Sequence, residues 1–210
     1  MQYICWLMLL LSGCQSWGRK DIYTPNGGAH PVDTFYYRAG ASGDILDTTN
    51  GASTTPYTNY QIARLSEGIP TKDSIETWLS FVGLSYPNPF CAAAASQWNE
   101  YTGVWHPKSG LARHFKTKAP AWVDASKVLR KEVTIKAGSM AVYERGNTIY
   151  GHVGIVTEDF TGAQGKYISA NTSKPGTSGS EFSGGGVWEK TFNIVPGAAF
   201  RITGFVVYEN

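Results

Sequence analysis

A cysteine stands between a proline-containing connector and a run of alanines, and this junction constrains the fold more than any other feature of the chain. The connector is the segment 85–90, and its two prolines, Pro87 and Pro89, keep it out of the helical conformation. Cys91 then begins the run 91–103, in which alanine fills the first turn and Gly103 provides a stop signal. The pattern predicts a helix that starts at Cys91. Because alanine is small, such a helix packs closely on a sheet and brings the sulfur near it.

The position of Cys91 at a helix N-terminus is chemically significant. Free backbone N–H groups and the positive end of the helix dipole favour thiolate over thiol, so we expect a lowered thiol pKa and a stronger nucleophile. The same N–H groups form half of an oxyanion hole. The residue type by itself favours a small buried hydrophobe. Its surroundings favour a nucleophile.

A second helix is predicted before the connector. Its apolar positions repeat at helical spacing and are Ile75, Trp78, Leu79 and Val82. We expect Asp73 or Ser74 to cap its start, and Gly83 to end it.

A cysteine nucleophile needs a base. The four histidines of the chain are His30, His106, His114 and His152. His152 follows a glycine at the start of the apolar run 149–157, which predicts a strand on which the imidazole can face a helix packed on the sheet. The other three lie in polar or loop-like stretches: His106 and His114 are solvated side chains or substrate contacts, and His30 lies beside Pro31 in a Gly-rich approach. We therefore predict that His152 is the base.

The run 165–173 predicts a further strand that ends in a polar turn. If it pairs antiparallel with the preceding strand, its end lies beside the start of that strand, and Asn171 lies near His152. An amide oxygen that accepts from the imidazole N–H would orient the ring, as the third member of a Cys-His-Asn triad does. Asparagine also ends strands for local backbone reasons, so both interpretations remain open.

Other segments could border the cleft. Tyr86 is our candidate for the second oxyanion donor, with Asn88 as the alternative in the same connector. The Gly- and Ser-rich run 174–186 is either a substrate-entry lid or a long hairpin connection. Three tryptophans stack on substrate or pack in the core and rim: Trp105, Trp122 and Trp188.

The N-terminus has the pattern of an export signal. The run 4–11 is almost wholly apolar, too short to span a bilayer, and followed by Ser12-Gly13-Cys14. This ending resembles the bacterial lipobox, which implies that 1–14 is a signal peptide and that Cys14 is lipidated; a truncated signal or a buried strand is the alternative. Residues 15–56 then form a tether and an irregular approach. Cys91 would be left as the single unmodified thiol, which excludes an intrachain disulfide.

Composition narrows the class of protein. At 210 residues, with 42% hydrophobic and 16% charged residues, the chain favours one domain with a sizeable core. A net charge of +2 without a basic stripe argues against nucleic acid as a partner. The 24 glycines and 13% aromatic residues are typical of a β-rich fold with tight turns. The histidines lack the paired spacing of a metal site.

Taken in order, the helix, the cysteine and the strands resemble the CHAP group of papain-like cell-wall amidases and endopeptidases. The stretches that carry the resemblance are 89–93, 136–143, 151–156, 168–171 and 200–205. The resemblance implies an α+β papain-like fold over 57–210, with N-terminal helices packed on an antiparallel sheet. It also implies hydrolysis of peptidoglycan amide bonds through an acyl-enzyme, no cofactor, and catalysis by Cys91, His152 and Asn171.

Two positions depart from the family pattern. Ser139 stands where the family commonly has Asp, and Ser169 and Ala170 replace the usual glycines before Asn171. These changes leave open a catalytically inactive, wall-binding lipoprotein of the same fold. A cysteine protease or acyltransferase on protein substrates is a further alternative.

We expect peptidoglycan as the partner and the bacterial cell envelope as the location, with a lipid anchor in the membrane and the protein facing the periplasm or the exterior. Which amide is cut, and whether a protein inhibitor exists, stays open.

Overall fold

The computed structural model describes residues 57–146, 148–177 and 184–208. The predicted signal peptide 1–14 with Cys14, and the predicted tether 15–56, lie outside the described residues. So do residues 178–183 of the predicted loop 174–186.

Helices predominate in the first half of the described chain and strands in the second half, with β1 lying before α5. The helices are α1 Asn59–Leu65, α2 Lys72–Phe81, α3 Cys91–Tyr101, α4 Arg113–Thr117 and α5 Ala125–Leu129. The strands are β1 Trp122–Asp124, β2 Met140–Arg145, β3 Gly151–Val156, β4 Gln164–Thr172, β5 Gly186–Asn193 and β6 Phe200–Val206. The strands form one six-stranded sheet in the order β1-β6-β2-β3-β4-β5, with antiparallel neighbours. The predicted α+β fold is confirmed.

The helix that carries the cysteine begins and ends where its sequence predicts. It starts at Cys91, and Gly103 follows its end with a left-handed φ of 68°. For α2 the predicted cap is wrong by two residues or more, because the Thr71 hydroxyl accepts the N–H of Ser74 at 3.2 Å. Gly83 follows the end of α2 with a φ of 76°, as predicted.

The sheet separates two apolar clusters, because side chains alternate between the two faces of a strand. We call the face that packs against α1 and α3 the helix face; α2 joins the same apolar cluster through its contact with α3. Its strand residues include Val142, Val153, Ile155, Ile168 and Ala170. We call the opposite face the aromatic face; its strand residues include Tyr143, Tyr167, Phe192 and Phe205, and α5 packs on it.

Helix α3 lies deep in the helix-face cluster. Ala92, Ala93, Ala94 and Ala95 have no exposed surface, and α3 contacts α1, α2, β3 and β4. No larger side chain fits a helix surrounded this closely. The alanine run thus places the first residue of α3 against the sheet, which is the close approach that the sequence predicts.

Candidate active site

Cys91 is the first residue of α3, and its thiol lies against the backbone of β3. The preceding residue, Phe90, supplies no side-chain cap, so the first N–H groups of the helix stay available. The backbone N–H groups of Cys91, Ala92 and Val153 donate toward the sulfur. Val153 directly follows His152, so the thiol and the candidate base lie at neighbouring positions of the backbone.

Burial determines the ionisation of this thiol. Cys91 is 5% exposed, and this burial raises the pKa of its thiol to about 11; the three N–H donors offset the effect only in part. The expected lowering of the thiol pKa is therefore wrong for this structure. The helix terminus does stabilise the thiolate, but the desolvation free energy of the buried charge is larger than the stabilisation by the N–H donors.

His152 lies on β3 with its imidazole on the aromatic face. It stands opposite Tyr143 on β2. The imidazole is 5.9 Å from the ring of Tyr143 and 6.2 Å from the ring of Tyr167, centroid to centroid. Its neighbour Val153 points to the helix face, toward Cys91. The structure thus brings the two residues together at the backbone and directs their side chains to different faces, so their pairing stays a prediction.

The imidazole of His152 is held neutral. The side chain is fully buried, and burial together with the charge of Lys190 lowers its pKa to about 3. Thiol and imidazole are thus both uncharged at neutral pH, because each is shielded from water more strongly than it is stabilised by an opposite charge.

Asn171 lies on β4 at a break in the sheet. It adopts a left-handed φ of 57°, and the pairing of β4 with β5 shifts between Ala170 and Thr172. The register of β3 and β4 is Ile155 with Ile168 and Val156 with Tyr167. Extended along both strands, this register sets Asn171 opposite His152, although the pairing itself ends before them. The predicted neighbourhood of the two residues agrees with this geometry, and the role of Asn171 stays a prediction.

The separation of β3 from β4 has a consequence for the cysteine. Beyond Ile155 and Ile168 the first half of β3 is no longer paired with β4. This gap leaves the N–H of Val153 available to the Cys91 sulfur. The Cys91 thiol and the backbones of His152 and Asn171 therefore lie where the two strands separate, while the imidazole of His152 stays on the aromatic face. The sequence contained no signal for Val153, because a backbone donor has no residue-type signature.

The connector before Cys91 is partly exposed. Tyr86 is 49% exposed, and its ring lies 5.7 Å from the ammonium of Lys72. The amide of Asn88 donates to the carbonyl of Ser85 at 2.6 Å, so this side chain holds the connector in shape. The role of Tyr86 as an oxyanion donor stays a prediction.

The two departures from the family pattern lie in different parts of the sheet. Ser139 is buried in the turn before β2, and its carbonyl accepts the N–H of Val156, at the end of β3 away from His152. The Asp-to-Ser difference at this position therefore affects the turn before β2. Ser169 is fully buried on β4. It lies on the aromatic face, the same face as His152, because Ile168 and Ala170 on either side point to the helix face.

Two other histidines have structural partners. His106 receives the N–H of Lys108 on Nδ1 at 3.1 Å, and its Nε2 lies 2.8 Å from Glu100. His114 Nδ1 lies 2.7 Å from the hydroxyl of Ser109. Both imidazoles thus hold the loop after α3 in place. His30 lies outside the described residues.

The three tryptophans that were predicted to contact substrate or to pack in the core and rim lie in different surroundings. Trp105 packs against the helix-face cluster, and the indole N–H of Trp122 donates to Asp124 at 2.9 Å. Trp188 is half-buried on β5, opposite Ser169. Of the three tryptophans, only Trp188 pairs across strands with a residue of the run that ends at Asn171.

A surface groove lies at the other end of α3. The helix has 11 residues, so the groove lies about 15 Å from Cys91 along the helix axis. Its lining residues are Gly103, Val104, Trp105, Pro120, Ala121, Val207 and Tyr208. It is separate from the candidate active site.

Within 57–146, 148–177 and 184–208, no His, Cys, Asp and Glu side chains form a group of three or more that is placed to hold a metal ion. In these same ranges no helix has the length and apolar character required to cross a bilayer.

The fold and the site together define a class of protein: an α+β protein in which a cysteine at a helix N-terminus meets an antiparallel sheet, as in papain-like hydrolases. Residues 82–171 match the family model of the CHAP domain, which confirms the resemblance. The matched segment begins before the connector and ends at Asn171, so it contains Cys91 and His152. This match indicates an amidase or peptidase activity directed at the cell wall. No curated protein and no solved structure matched the chain.

Proposed function

We propose that the protein is a peptidoglycan amidohydrolase or endopeptidase that cleaves amide bonds through a thioester on Cys91. The observation that carries this proposal is the position of the Cys91 thiol. It lies at the first turn of α3 and at the gap between β3 and β4, in the segment that matches the CHAP domain. Three backbone N–H groups already surround the sulfur.

The proposed reaction proceeds in two halves. His152 accepts the Cys91 proton, the sulfur attacks the amide carbonyl, and the N–H of Cys91 with a second donor binds the oxyanion. The imidazolium then gives its proton to the leaving amine, and a thioester remains. Water, deprotonated by the same imidazole, attacks the thioester and releases the acid and the thiol.

This mechanism requires a movement of His152. Its imidazole must turn from Tyr143 and Tyr167 toward the gap between the strands, where the sulfur lies. Asn171, on the far side of that gap, would then orient the imidazole through its amide oxygen. Water that enters with the substrate would weaken the burial effect and bring the two pKa values toward each other.

The test is hydrolysis of purified peptidoglycan, followed as loss of turbidity and by mass spectrometry of the fragments. We expect the full chain to release fragments and Cys91→Ala to be slower by about a thousandfold or more. Because residues that act as a unit are not additive, His152→Ala and the double variant should lose about as much as Cys91→Ala alone. The fragment masses identify the bond that is cut.

The matched control for this test is Ser96→Ala, a similar one-atom deletion at a buried position of the same helix. It should retain activity and show that small changes in α3 are tolerated. If Cys91→Ala cleaves walls as fast as the parent chain, the proposal is wrong.

A binding role is the second candidate, favoured by the direction of the His152 imidazole away from the thiol. In that case neither the parent chain nor Cys91→Ala cleaves peptidoglycan, and both proteins sediment with the insoluble wall to the same extent. Protein-directed proteolysis or acyl transfer would show instead as cysteine-dependent modification of a protein substrate while the wall stays intact.

A further inference from the structure

Two hydrogen-bond donors are buried together on the aromatic face, one strand away from His152. Ser169 on β4 stands directly opposite Trp188 on β5, so the two side chains are neighbours on one face. Ser169 has no exposed surface. Among the residues that the structure describes, neither its hydroxyl nor the buried indole N–H of Trp188 has a hydrogen-bond partner. Buried donors of this kind destabilise a fold unless a ligand or water completes them.

The backbone around Trp188 is shaped to admit its indole. A Cβ atom on Gly186 would lie 2.1 Å from the indole nitrogen of Trp188, so only glycine leaves room for the ring in this position. Gly186 pairs with Thr172, directly after the break at Asn171. The indole N–H therefore lies toward the end of the β4–β5 pair at which the candidate active site is found.

The charges of the sheet are segregated in a way that favours an anion here. The carboxylates of β2 and β5, Glu144 and Glu189, point to the helix face. There they pair with Lys116 and Arg64, respectively. On the aromatic face β5 presents Lys190 instead, close enough for its charge to act on His152.

A second cation lies over the tryptophan. The ammonium of Lys174 is 5.8 Å from the centroid of the Trp188 ring. The described strands β2 to β5 place no carboxylate on the aromatic face to neutralise Lys174 or Lys190. The site thus combines two neutral donors with two positive charges.

We propose that Ser169 and Trp188 form a carboxylate subsite, in which both side chains donate to one carboxylate of a wall peptide and Lys174 and Lys190 supply the opposing charge. The assignment of this carboxylate to substrate rests on the proposed function, because peptidoglycan peptides carry free carboxylates. A carboxylate accepts several hydrogen bonds and has the required charge. A neutral amide would not offset the two positive charges that the described strands leave uncompensated, and a cation would be repelled.

The experiment follows the indole N–H resonances of the full ¹⁵N-labelled chain while N-acetyl-D-alanine is added. Its amide, N-acetyl-D-alaninamide, is the uncharged probe for comparison. The Trp188 resonance is assigned by its loss in Trp188→Phe. We expect a saturable downfield shift of this resonance with the acid and none with the amide. In Ser169→Ala the affinity for the acid should be about tenfold weaker, because a hydrogen bond to a charged group is lost.

Three internal controls make the result specific. The indole N–H of Trp122 is already bonded to Asp124, and that of Trp98 is enclosed in the helix-face cluster, so neither resonance should shift. Thr157→Val removes another buried hydroxyl that lacks a partner among the described residues, beyond the far end of β3. It should leave the affinity unchanged.

The subsite is overturned if the Trp188 resonance does not shift, or shifts equally with acid and amide; the two donors then hold only water. It is also overturned if Ser169→Ala binds the acid as tightly as the parent chain does. The readout does not require hydrolysis, so Cys91→Ala should bind the probe normally. If the probe binds but the wall is not cleaved, the subsite is supported and the proposed function is wrong. If the wall is cleaved but the probe does not bind, the proposed function is supported and the subsite is wrong.

Discussion

At the scale of single residues, the two candidate reacting groups are governed by burial. The pKa of Cys91 is raised to about 11 and that of His152 is lowered to about 3, in each case chiefly by loss of water. A neutral thiol beside a neutral imidazole is a resting pair rather than a preformed ion pair. The charge separation that the proposed mechanism needs must therefore come with substrate or with the movement of His152.

The buried imidazole makes stability depend on pH. Unfolded His152 binds a proton below about pH 6.5, whereas folded His152 stays neutral down to about pH 3. Stability is therefore present at neutral pH and is lost as the pH falls from 6.5 toward 3. From pH 7 to pH 5 we expect this residue alone to reduce the free energy of unfolding by about 2 kcal/mol. Urea unfolding of the parent chain and of His152→Gln at both pH values measures the difference.

The variant should lose that part of the pH dependence, whereas Asn171→Ala should keep it, because asparagine does not titrate. Equal slopes for the parent chain and His152→Gln would show that the imidazole is not buried neutral.

Among the secondary-structure elements, α3 positions the thiol, because its small side chains let it pack close to the sheet. Four consecutive alanines without exposed surface let the helix lie between α1, α2 and the strands β3 and β4. Its first residue can then reach the N–H of Val153. Any larger residue in this run would push the helix away from the sheet and withdraw the sulfur from the gap between the strands.

We expect Ala93→Leu to destabilise the protein by about 1–3 kcal/mol through overpacking and to reduce wall hydrolysis with it. Ala163→Leu makes the same change at an exposed position and should alter stability by no more than about 0.5 kcal/mol. Thermal unfolding of both variants gives the comparison. A stable, fully active Ala93→Leu would mean that the close approach of α3 to the sheet is not required.

At the scale of the whole molecule, one buried polar network joins distant parts of the chain. The amide of Asn59 on α1 donates to Asn99 on α3 at 2.9 Å and to the carbonyl of Gly138 before β2 at 2.8 Å. The amide of Asn99 in turn donates to the hydroxyl of Tyr208 at 3.2 Å and to the carbonyl of Trp105 at 3.3 Å. The network thus connects two helices with the approach to β2 and the end of the chain beyond β6.

Loss of one member removes several hydrogen bonds at once. We expect Asn99→Ala to lower the free energy of unfolding by about 2–4 kcal/mol, because the Asn59 amide and the Tyr208 hydroxyl each lose one hydrogen bond and the fully buried Asn99 side chain is removed. Asn88→Ala removes an exposed amide that bonds within its own connector, and should cost less than about 1 kcal/mol. Urea unfolding of both variants at pH 7 would show whether the difference exists; similar losses would contradict the network.

Features that depend on neighbouring residues could be predicted from the sequence. The start of α3 at Cys91, its end before Gly103, and the strands that carry His152 and Asn171 follow from turn residues, alanine content and apolar runs. The lipid anchor at Cys14 belongs to the sequence alone and stays a prediction.

The other features could not be predicted, because burial and strand register depend on residues far apart in the chain. The helix N-terminus suggested an acidic thiol, but packing on the sheet removed the water that a thiolate needs. The alternation of β3 was visible in the sequence, yet only the position of α3 showed that His152 lies on the other face. The pairing of Ser169 with Trp188 likewise arises from the register of β4 and β5. Neither residue type nor local spacing contains that register.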